Sequence, residues 1–256
     1  MLIDAATGLG WYGTGGGITY DSTPSGEYAE ALLKTRVLAR RSSDFDLLET
    51  IRWTPDVGFH HLDRHVRRLM ASADYFDVPV SDAHVRGALE EAVRGVDSPK
   101  RVRLKVSRQG GITVETGRVP VITEPVRLAV DEVPVDSSDP FLRHKTSRRE
   151  VFERAAARHP YADDVILVNE RGELTETTIA SLVAQVDGRW VTPPLDSGCL
   201  PGVERAHLLA AGEIGERVLY LADLGRVTGL ARVNSLRGWE SATLAVSEPM
   251  SSLTGM

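Results

Sequence analysis

The sequence predicts an α/β (α+β) fold with two subdomains, preceded by a separate N-terminal segment. Amphipathic helical stripes alternate with β-rich runs along most of the chain. A Pro-bearing stretch at 119–126 interrupts this alternation, and the first 40 or so residues are rich in Gly, Ser and Thr. We therefore expect a segment at 1–40, a smaller subdomain at 44–119 and a larger one at 127–256.

In the smaller subdomain, the strand LLETIRW is joined by a turn at 54–58 to a helix. A 3.6-residue apolar stripe predicts this helix, with members Leu62, Val66, Leu69, Met70 and Ala73. Further on, SPKRVRLKVSRQGGITVE alternates apolar and polar residues before a Gly-Gly turn. This pattern is typical of a hairpin with one buried face.

In the larger subdomain, the strands RLAVDEV and DDVILV flank the helix RREVFERAAARH. SLVAQVDGRWVTPP predicts a hairpin whose two-residue turn is Asp187-Gly188. The helix VERAHLLAAG ends at Gly212, and RVLYLA is predicted as the next strand.

Composition favours a globular protein in the cytoplasm. The 256 residues are 42% hydrophobic and can bury a substantial core. The net charge is −6 and the basic residues are scattered, so nucleic acid is not an expected partner. No apolar run approaches the roughly 20 residues of a membrane span, and MLIDAATGLG lacks the pattern of a signal peptide. The single cysteine, Cys199, begins no disulfide or Cys-x-x-Cys metal site, and no metal is expected.

Lys145 and Glu176 are candidate reactive groups. Lys145 lies between the linker and a helix, where its side chain can point into a cleft between subdomains. Glu176 follows a Gly turn, where a carboxylate can pair with a cationic ring nitrogen of a cofactor. Each could instead be an ordinary solvated charge, so their weight depends on the neighbouring motifs.

Several segments could bind a phosphate group. Pro201-Gly202 precedes a helix, whose free backbone N–H groups at Val203 and Glu204 can cradle phosphate. Asn234 and Ser235 add donors in a turn after a strand. A plain helix start and a plain turn are the alternatives.

Arg68 is a further phosphate candidate because its guanidinium fork matches phosphate oxygens. The neighbouring Arg64 and Arg67 leave open an exposed basic helix face.

Six ordered motifs resemble those of class IV aminotransferases. They are LLETIRW, FHHLDRHVRRLMASADYF, HKTSRREVF, NERGELTETTIASLV, WVTPPLDSGCLPGVERAHLL and NSLRGW, from about Asp44 to Trp239. The family comprises fold-type IV enzymes that use pyridoxal 5'-phosphate (PLP), among them branched-chain and D-amino acid aminotransferases and aminodeoxychorismate lyases. NSLRGW and HKTSRR are more similar to the lyase branch.

The resemblance implies that Lys145 is the catalytic lysine, joined to PLP as a Schiff base, and that Glu176 pairs with the pyridine nitrogen. Leu48 stands where the family has an aromatic residue, and Glu204 where it often has Thr, so only the Glu204 amide is carried over. The cofactor-binding residues implied in this way are Arg68, Lys145, Glu176, Val203, Glu204, Ser235 and Leu236.

The implied reaction converts 4-amino-4-deoxychorismate to p-aminobenzoate and pyruvate, a step of folate biosynthesis. Because this substrate carries two carboxylates, we expect cationic or donor groups in the cleft, with Arg108 and Asn234 as substrate contacts. Arg108 could equally be an exposed hairpin-tip residue. A homodimer and association with p-aminobenzoate synthase components are the expected partners. The alternatives are a branched-chain or D-amino acid aminotransferase, and a non-catalytic or chorismate-binding module.

The N-terminal segment YGTGGGITYDSTPSGEYAEALLKTRVL resembles the C-terminus of chorismate-utilising synthases, in which two glutamates one helical turn apart hold Mg²⁺. Glu27 and Glu30 have this spacing, but the body of such a synthase is absent, so a solvated helix face is favoured. Synthase followed by lyase is the order in fused p-aminobenzoate enzymes. We therefore expect the chain to be the lyase end of such a fusion.

Overall fold

The computed structural model describes residues 44–245 and ten scattered positions before them, at 2, 3, 10, 11, 13, 22, 23, 24, 26 and 28. The chain divides into two compact units, residues 1–44 and 45–256. In the first unit, the short strands β1 (Leu2–Ile3) and β2 (Gly10–Trp11) pair antiparallel. Glu27 and Glu30 lie outside the described residues, and the resemblance of this segment to a synthase stays a prediction.

The second unit begins with a four-stranded antiparallel sheet. Its strands are β3 (Leu47–Thr54), β4 (Gly58–Phe59), β5 (Lys100–Val106) and β6 (Ile112–Gly117), in the spatial order β4-β3-β5-β6. Between β4 and β5 come helices α1 (Leu62–Tyr75) and α2 (Asp82–Ala92). The predicted strand, helix and hairpin are confirmed, whereas α2 was not predicted.

One face of this sheet packs on both helices. Side chains alternate across a strand, so Val102, Leu104 and Val106 of β5 enter the core, while Arg101 and Arg103 take the opposite face. The apolar stripe of α1 and two residues of α2 complete this core: Val66, Leu69, Ala73, Val85 and Leu89.

A mixed eight-stranded sheet follows. In chain order it contains β7 (Val126–Val135), β8 (Asp164–Asn169), β9 (Leu174–Thr177), β10 (Ser181–Val186), β11 (Arg189–Thr192), β12 (Gly215–Glu216), β13 (Gly229–Asn234) and β14 (Gly238–Leu244). The spatial order is β12-β11-β10-β13-β14-β7-β8-β9. The sheet curls, and a turn joins β9 to β10, in which the Thr177 N–H donates to the Ala180 carbonyl at 2.9 Å. The predicted α/β class is confirmed.

Between residues 126 and 245, this sheet is accompanied by the helices α3 (Pro140–Arg143), α4 (Glu150–Arg158) and α5 (Val203–Ala211). Phe152 and Ala155 of α4 pack against buried residues of β7 and β8, including Ala129 and Leu167. Short 3-10 helices lie at Leu195–Ser197 and Leu221–Gly225. Within the described part of the chain, no helix is long and apolar enough to cross a membrane.

The prediction of a strand at RVLYLA is wrong. Leu219 is buried, and its carbonyl accepts the Leu174 N–H at 2.7 Å, but no ladder continues from it. Tyr220 instead begins a 3-10 turn, because its N–H donates to the Asp223 carboxylate at 2.8 Å and its carbonyl accepts the Asp223 N–H. This local capping interaction overrides the β propensity of the segment.

Candidate active site

A cavity of about 270 Å³ lies between the two sheets of the second unit. It brings together seven of the predicted site residues: Arg68, Lys145, Glu176, Val203, Asn234, Ser235 and Leu236. Its charged lining is strongly cationic, since Glu176 is the one carboxylate among the described lining residues, against Lys145 and six arginines at positions 68, 101, 103, 148, 149 and 237. Such a lining favours anionic ligands.

Backbone pairing places Lys145 beside strand β3. The Leu48 N–H donates to the Lys145 carbonyl at 2.8 Å, and the Ser147 N–H donates to the Asp46 carbonyl at 2.9 Å. The Lys145 amine makes no hydrogen bond or ion pair with the residues that the structure describes. Burial, assisted by the charge of Arg68, lowers its pKa to about 8, although Glu49 and Glu176 oppose the shift. A lysine in this state is available as a nucleophile and base near neutral pH.

Glu176 is 5% exposed, on strand β9, and one of its carboxylate oxygens accepts the Leu200 N–H at 3.1 Å. Burial raises the pKa of this carboxyl to about 7, despite that hydrogen bond and the charges of Lys145 and Arg149. A buried carboxyl with a single donor is suited to receive a cationic group of a ligand.

Arg68 is held by a carboxylate that the sequence motifs did not single out. Its Nε and Nη2 donate to Glu49 at 2.9 and 2.6 Å, and its Nη1 donates to the Pro201 carbonyl at 3.1 Å. His65 contacts the same carboxylate through Nδ1 at 2.7 Å. Burial opposes ionisation of Glu49, but the charges of Arg68 and His65 and their hydrogen bonds hold its pKa at about 2. Glu49 is therefore a permanent anion that fixes the guanidinium toward α5.

The N-terminus of α5 meets the cavity through Gly202 and Val203. In the described chain, the N–H groups of Val203, Glu204 and Arg205 have no acceptor, as expected for a first helical turn. A Cβ on Gly202 would lie 2.5 Å from the Ser181 hydroxyl oxygen, so only glycine leaves this approach open. The Glu204 side chain does not line the cavity, and it faces His61 at 3.4 Å. Within this geometry only its amide is placed to serve a ligand, and the predicted contact of that amide with the cofactor stays a prediction.

The turn after β13 is braced by Asn234. Its Oδ1 accepts the N–H groups of Leu236 and Arg237, each at 3.1 Å. The Leu236 amide is thus already engaged, while Ser235 lines the cavity. The role of Asn234 visible here is to shape the turn, and its predicted contact with substrate stays a prediction.

Arg108 lies away from the cavity. Its Nη1 donates to the Phe76 carbonyl at 2.6 Å, and its guanidinium lies 5.2 Å from the centroid of the Phe45 ring. The proposed substrate contact of Arg108 therefore gains no support from its position.

Cationic residues that the sequence reasoning missed line the cavity instead. Arg101 and Arg103 occupy it from β5, on the face opposite the core. Arg149 reaches it from the start of α4, where its guanidinium lies over the Phe152 ring and donates to the Thr178 carbonyl. The alternation in KRVRLKV could have predicted the direction of Arg101 and Arg103. When the apolar residues of a strand face the core, the residues between them face the opposite side of the sheet.

Residues 46–244 match the model of the amino-transferase class IV family. The chain belongs to the class IV aminotransferase family. It is 33% identical over 164 residues to a candidate aminodeoxychorismate lyase of Schizosaccharomyces pombe. The aligned region covers 60% of this chain and 70% of that protein. The fold is the fold-type IV architecture of this family of PLP-dependent enzymes.

Two solved structures extend this likeness. A candidate amino-acid aminotransferase from Mesorhizobium loti has a TM-score of 0.75 at 38% identity, covering 79% of this chain and all of that one. A hypothetical aminotransferase from Mycobacterium tuberculosis, solved in a PLP-bound form, has a TM-score of 0.67 at 26% identity, covering 78% of this chain and 81% of that one.

The cavity of this class IV aminotransferase has a donor set that fits PLP. A lysine amine without a partner, a buried carboxyl with one hydrogen bond, and free helix amides beside a glycine correspond to the aldehyde, the ring nitrogen and the phosphate of that cofactor. All three groups belong to described residues of this chain.

Proposed function

We propose that this chain binds PLP and converts 4-amino-4-deoxychorismate to p-aminobenzoate and pyruvate. The observation that carries this proposal is the cavity, in which one lysine amine and one raised-pKa carboxyl lie among six arginines. A substrate with two carboxylates, bound beside a cofactor phosphate, makes use of this excess of positive charge. The 33% identity to the S. pombe protein supports the same reaction.

Three elements of the chain would hold the cofactor. Lys145 would carry it covalently, Glu176 would face its ring nitrogen, and Arg68 with the first amides of α5 would hold its phosphate. When bound, PLP supplies an electron sink for negative charge on the substrate carbon that carries the amine. Ionised Glu176 would pair with a protonated ring nitrogen, and this pairing would offset the cost of burying the carboxylate.

Lys145 is the base in this proposal. With a pKa of about 8, its Nζ is partly neutral near pH 8 and can take the proton from ring carbon C4 of the substrate. The ring becomes aromatic as the C–O bond to the enolpyruvyl group breaks, and the proton taken by Lys145 is passed to the departing enolpyruvate, which becomes pyruvate. Substrate and products balance without water or an amino acceptor.

The arginines of the cavity wall orient the substrate. Arg101 and Arg103 from β5 and Arg148 and Arg149 near the start of α4 all line the cavity. Carboxylates bound to them keep the ring fixed while the proton moves, which is the positioning contribution expected of such clamps.

The test is to supply the purified full-length chain with PLP and aminodeoxychorismate, in the absence of any amino acid or 2-oxo acid. We expect p-aminobenzoate, followed by its fluorescence, and pyruvate, followed with lactate dehydrogenase, in equal amounts. Failure to release pyruvate under these conditions would refute the lyase proposal.

A transaminase is the second candidate, because the amino-acid aminotransferase structure from M. loti is matched over its whole length at 38% identity. In that case the chain would exchange amino groups between D- or branched-chain amino acids and 2-oxo acids. Transfer of the amino group leaves the enolpyruvyl ether intact, so a transaminase would release no pyruvate from aminodeoxychorismate, with or without an acceptor. The same assay, run beside one that supplies an amino-acid donor and a 2-oxo acid acceptor, therefore separates the two functions.

A further inference from the structure

A buried chain of alternating charges leads to one arginine of the cavity wall. Asp164 accepts a hydrogen bond from Nη1 of Arg232 at 2.6 Å, and Nε of Arg232 donates to Glu240 at 3.1 Å. Glu240 in turn accepts from Nε of Arg237 at 2.7 Å. The Asp164, Arg232 and Glu240 side chains are at most 4% exposed. Two acids alternate with two arginines, so the chain is neutral as a whole and rigidly paired.

Both ends of this chain reach the cavity. At one end, Asp164 Oδ1 accepts the N–H and the hydroxyl of Thr178, in the turn that follows β9. At the other end, Arg237 lines the cavity, and its own N–H is bound by Asn234. The backbone and the side chain of Arg237 are therefore each fixed by a separate contact.

Arg237 has side-chain N–H donors that are not used within the described chain. Its side chain is 13% exposed, and among residues 44–245 only its Nε has a hydrogen-bond partner. Its Nη2 is enclosed and has no acceptor within that part of the chain. A buried donor without an acceptor destabilises the protein, and this cost is recovered when a ligand brings an acceptor. The two Nη groups of a guanidinium match the two oxygens of a carboxylate.

We propose that Arg237 binds a carboxylate of the substrate and that Glu240 is the positioning residue that orients it. This inference deepens the proposed lyase function. The cofactor phosphate has donors of its own, in Arg68 and the free amides at the start of α5. Arg237 is therefore left for the other anion that the cavity receives, which is the substrate carboxylate.

The test compares Arg237→Gln with wild type, both loaded with PLP, by titration calorimetry. The probes are p-aminobenzoate and its neutral amide, p-aminobenzamide, together with pyruvate, so that each carboxylate of the substrate is represented. We expect Arg237→Gln to weaken one of the two acids by about 10- to 100-fold and to leave the amide unchanged. The matched control is Arg189→Gln, which removes an exposed arginine of β11 outside the cavity and should alter none of the three.

The positioning role is tested with Glu240→Gln. We expect KM for aminodeoxychorismate to rise about 10-fold while kcat and the affinity for PLP stay within about twofold. Arg237→Lys, which keeps the charge without the fork, should bind the affected acid more tightly than Arg237→Gln and less tightly than wild type. A Glu240→Gln chain that loses thermal stability but keeps the wild-type KM would overturn the positioning role.

Three results would overturn the assignment of Arg237. They are equal affinity of the wild type for the acids and the amide, an unchanged preference in Arg237→Gln, and a loss of PLP affinity with intact carboxylate binding. The last would show that the phosphate is the anion. Pyruvate release by the wild type tests the lyase function, whereas acid against amide binding tests Arg237, so the two proposals fail separately.

Discussion

Two buried glutamates whose charges act on Lys145, Glu49 and Glu176, occupy opposite electrostatic environments. Glu49 is 1% exposed and binds Arg68 and His65, so its pKa falls to about 2 even though burial acts against ionisation. Glu176 is buried almost as fully but accepts one backbone N–H, and its pKa rises to about 7. The same side chain is thus a fixed anion on β3 and a titrating carboxyl on β9.

The difference shows what burial does and what it leaves to partners. Desolvation raises the pKa of both carboxyls, and only cations supplied by the fold reverse the shift. Glu49 has its cations built in, and its charge serves the arrangement of Arg68. Glu176 has no comparable built-in partner among the described residues, as suits a group whose cation arrives with a ligand. The following substitutions test this contrast.

The largest effect is expected from Lys145→Ala. This substitution removes the amine whose pKa is raised by the charges of both Glu49 and Glu176. Turnover and covalent attachment of PLP should be lost, because no other lysine lines the described cavity. Borohydride reduction followed by peptide mapping checks this. Lys105→Ala, which removes a lysine paired with Glu115 at 3.0 Å outside the cavity, is the matched control. Fixation of PLP in Lys145→Ala would disprove the role.

Glu176→Gln should lower turnover by about 10²- to 10⁴-fold while PLP still binds, since an amide cannot hold the ring nitrogen protonated. Although the substitution lowers turnover, it should raise the stability of the chain at alkaline pH. The carboxyl titrates at about 7 in the folded chain against an ordinary value of 4.5, so the folded state loses stability as pH rises through this window. Without PLP, the variant should therefore melt at a higher temperature than wild type at pH 8 and at the same temperature at pH 4. Thermal scans at both values check it.

Glu49→Gln should destabilise the chain by about 3 kcal/mol at pH 7, because Arg68 and His65 lose the charge they surround. With a folded pKa of about 2 and an ordinary value of 4.5, the stability from Glu49 is present above pH 4.5 and lost as pH falls toward 2. Urea unfolding from pH 7 to pH 3 should show the two chains converging. Equal effects of the Glu49 and Glu176 substitutions at pH 8 would break the contrast between the two sites.

Part of this site could be predicted from local sequence. Lys145, Glu176 and the amides after Gly202 each depend on a short motif: a lysine at a junction, a glutamate after a turn, a glycine before a helix. Helix termini and turns are formed by neighbours in the chain, so such features survive without knowledge of the tertiary structure.

The rest depends on pairings between distant segments. Glu49 meets Arg68 across 19 residues, and Arg232 meets Asp164 across 68, so no local pattern announces either contact. The direction of Arg103 depends on the register of β5 against β3, since a slip of one residue would turn it into the core. The wrong prediction of a strand at RVLYLA has a local cause instead. The capping interaction between Tyr220 and Asp223 competes with the β propensity of the segment.

Gly202→Ala should weaken PLP by about tenfold, because the new Cβ would lie 2.5 Å from the Ser181 hydroxyl oxygen and crowd the approach to the α5 amides. The double variant with Ser181→Ala should recover most of this affinity. Gly87→Ala, where no atom lies within 4 Å of the added carbon, is the control. Spectroscopic titration with PLP measures all four chains, and an unaffected Gly202→Ala would remove this helix start from the phosphate site.

The smallest effect on KM is expected from Arg108→Gln. It removes an arginine outside the cavity and is compared with a substitution of an arginine that lines it. Its guanidinium donates to the Phe76 carbonyl and lies over Phe45, so the substitution should cost about 1 kcal/mol of stability and change KM by less than about twofold. Arg103→Gln, which removes a cavity arginine, should raise KM about tenfold with little loss of stability. Steady-state kinetics with aminodeoxychorismate and thermal unfolding of both variants give the comparison. If Arg108→Gln raised KM and Arg103→Gln did not, the substrate would approach from the hairpin tip, and the sequence-based prediction for Arg108 would replace the cavity wall as the carboxylate site.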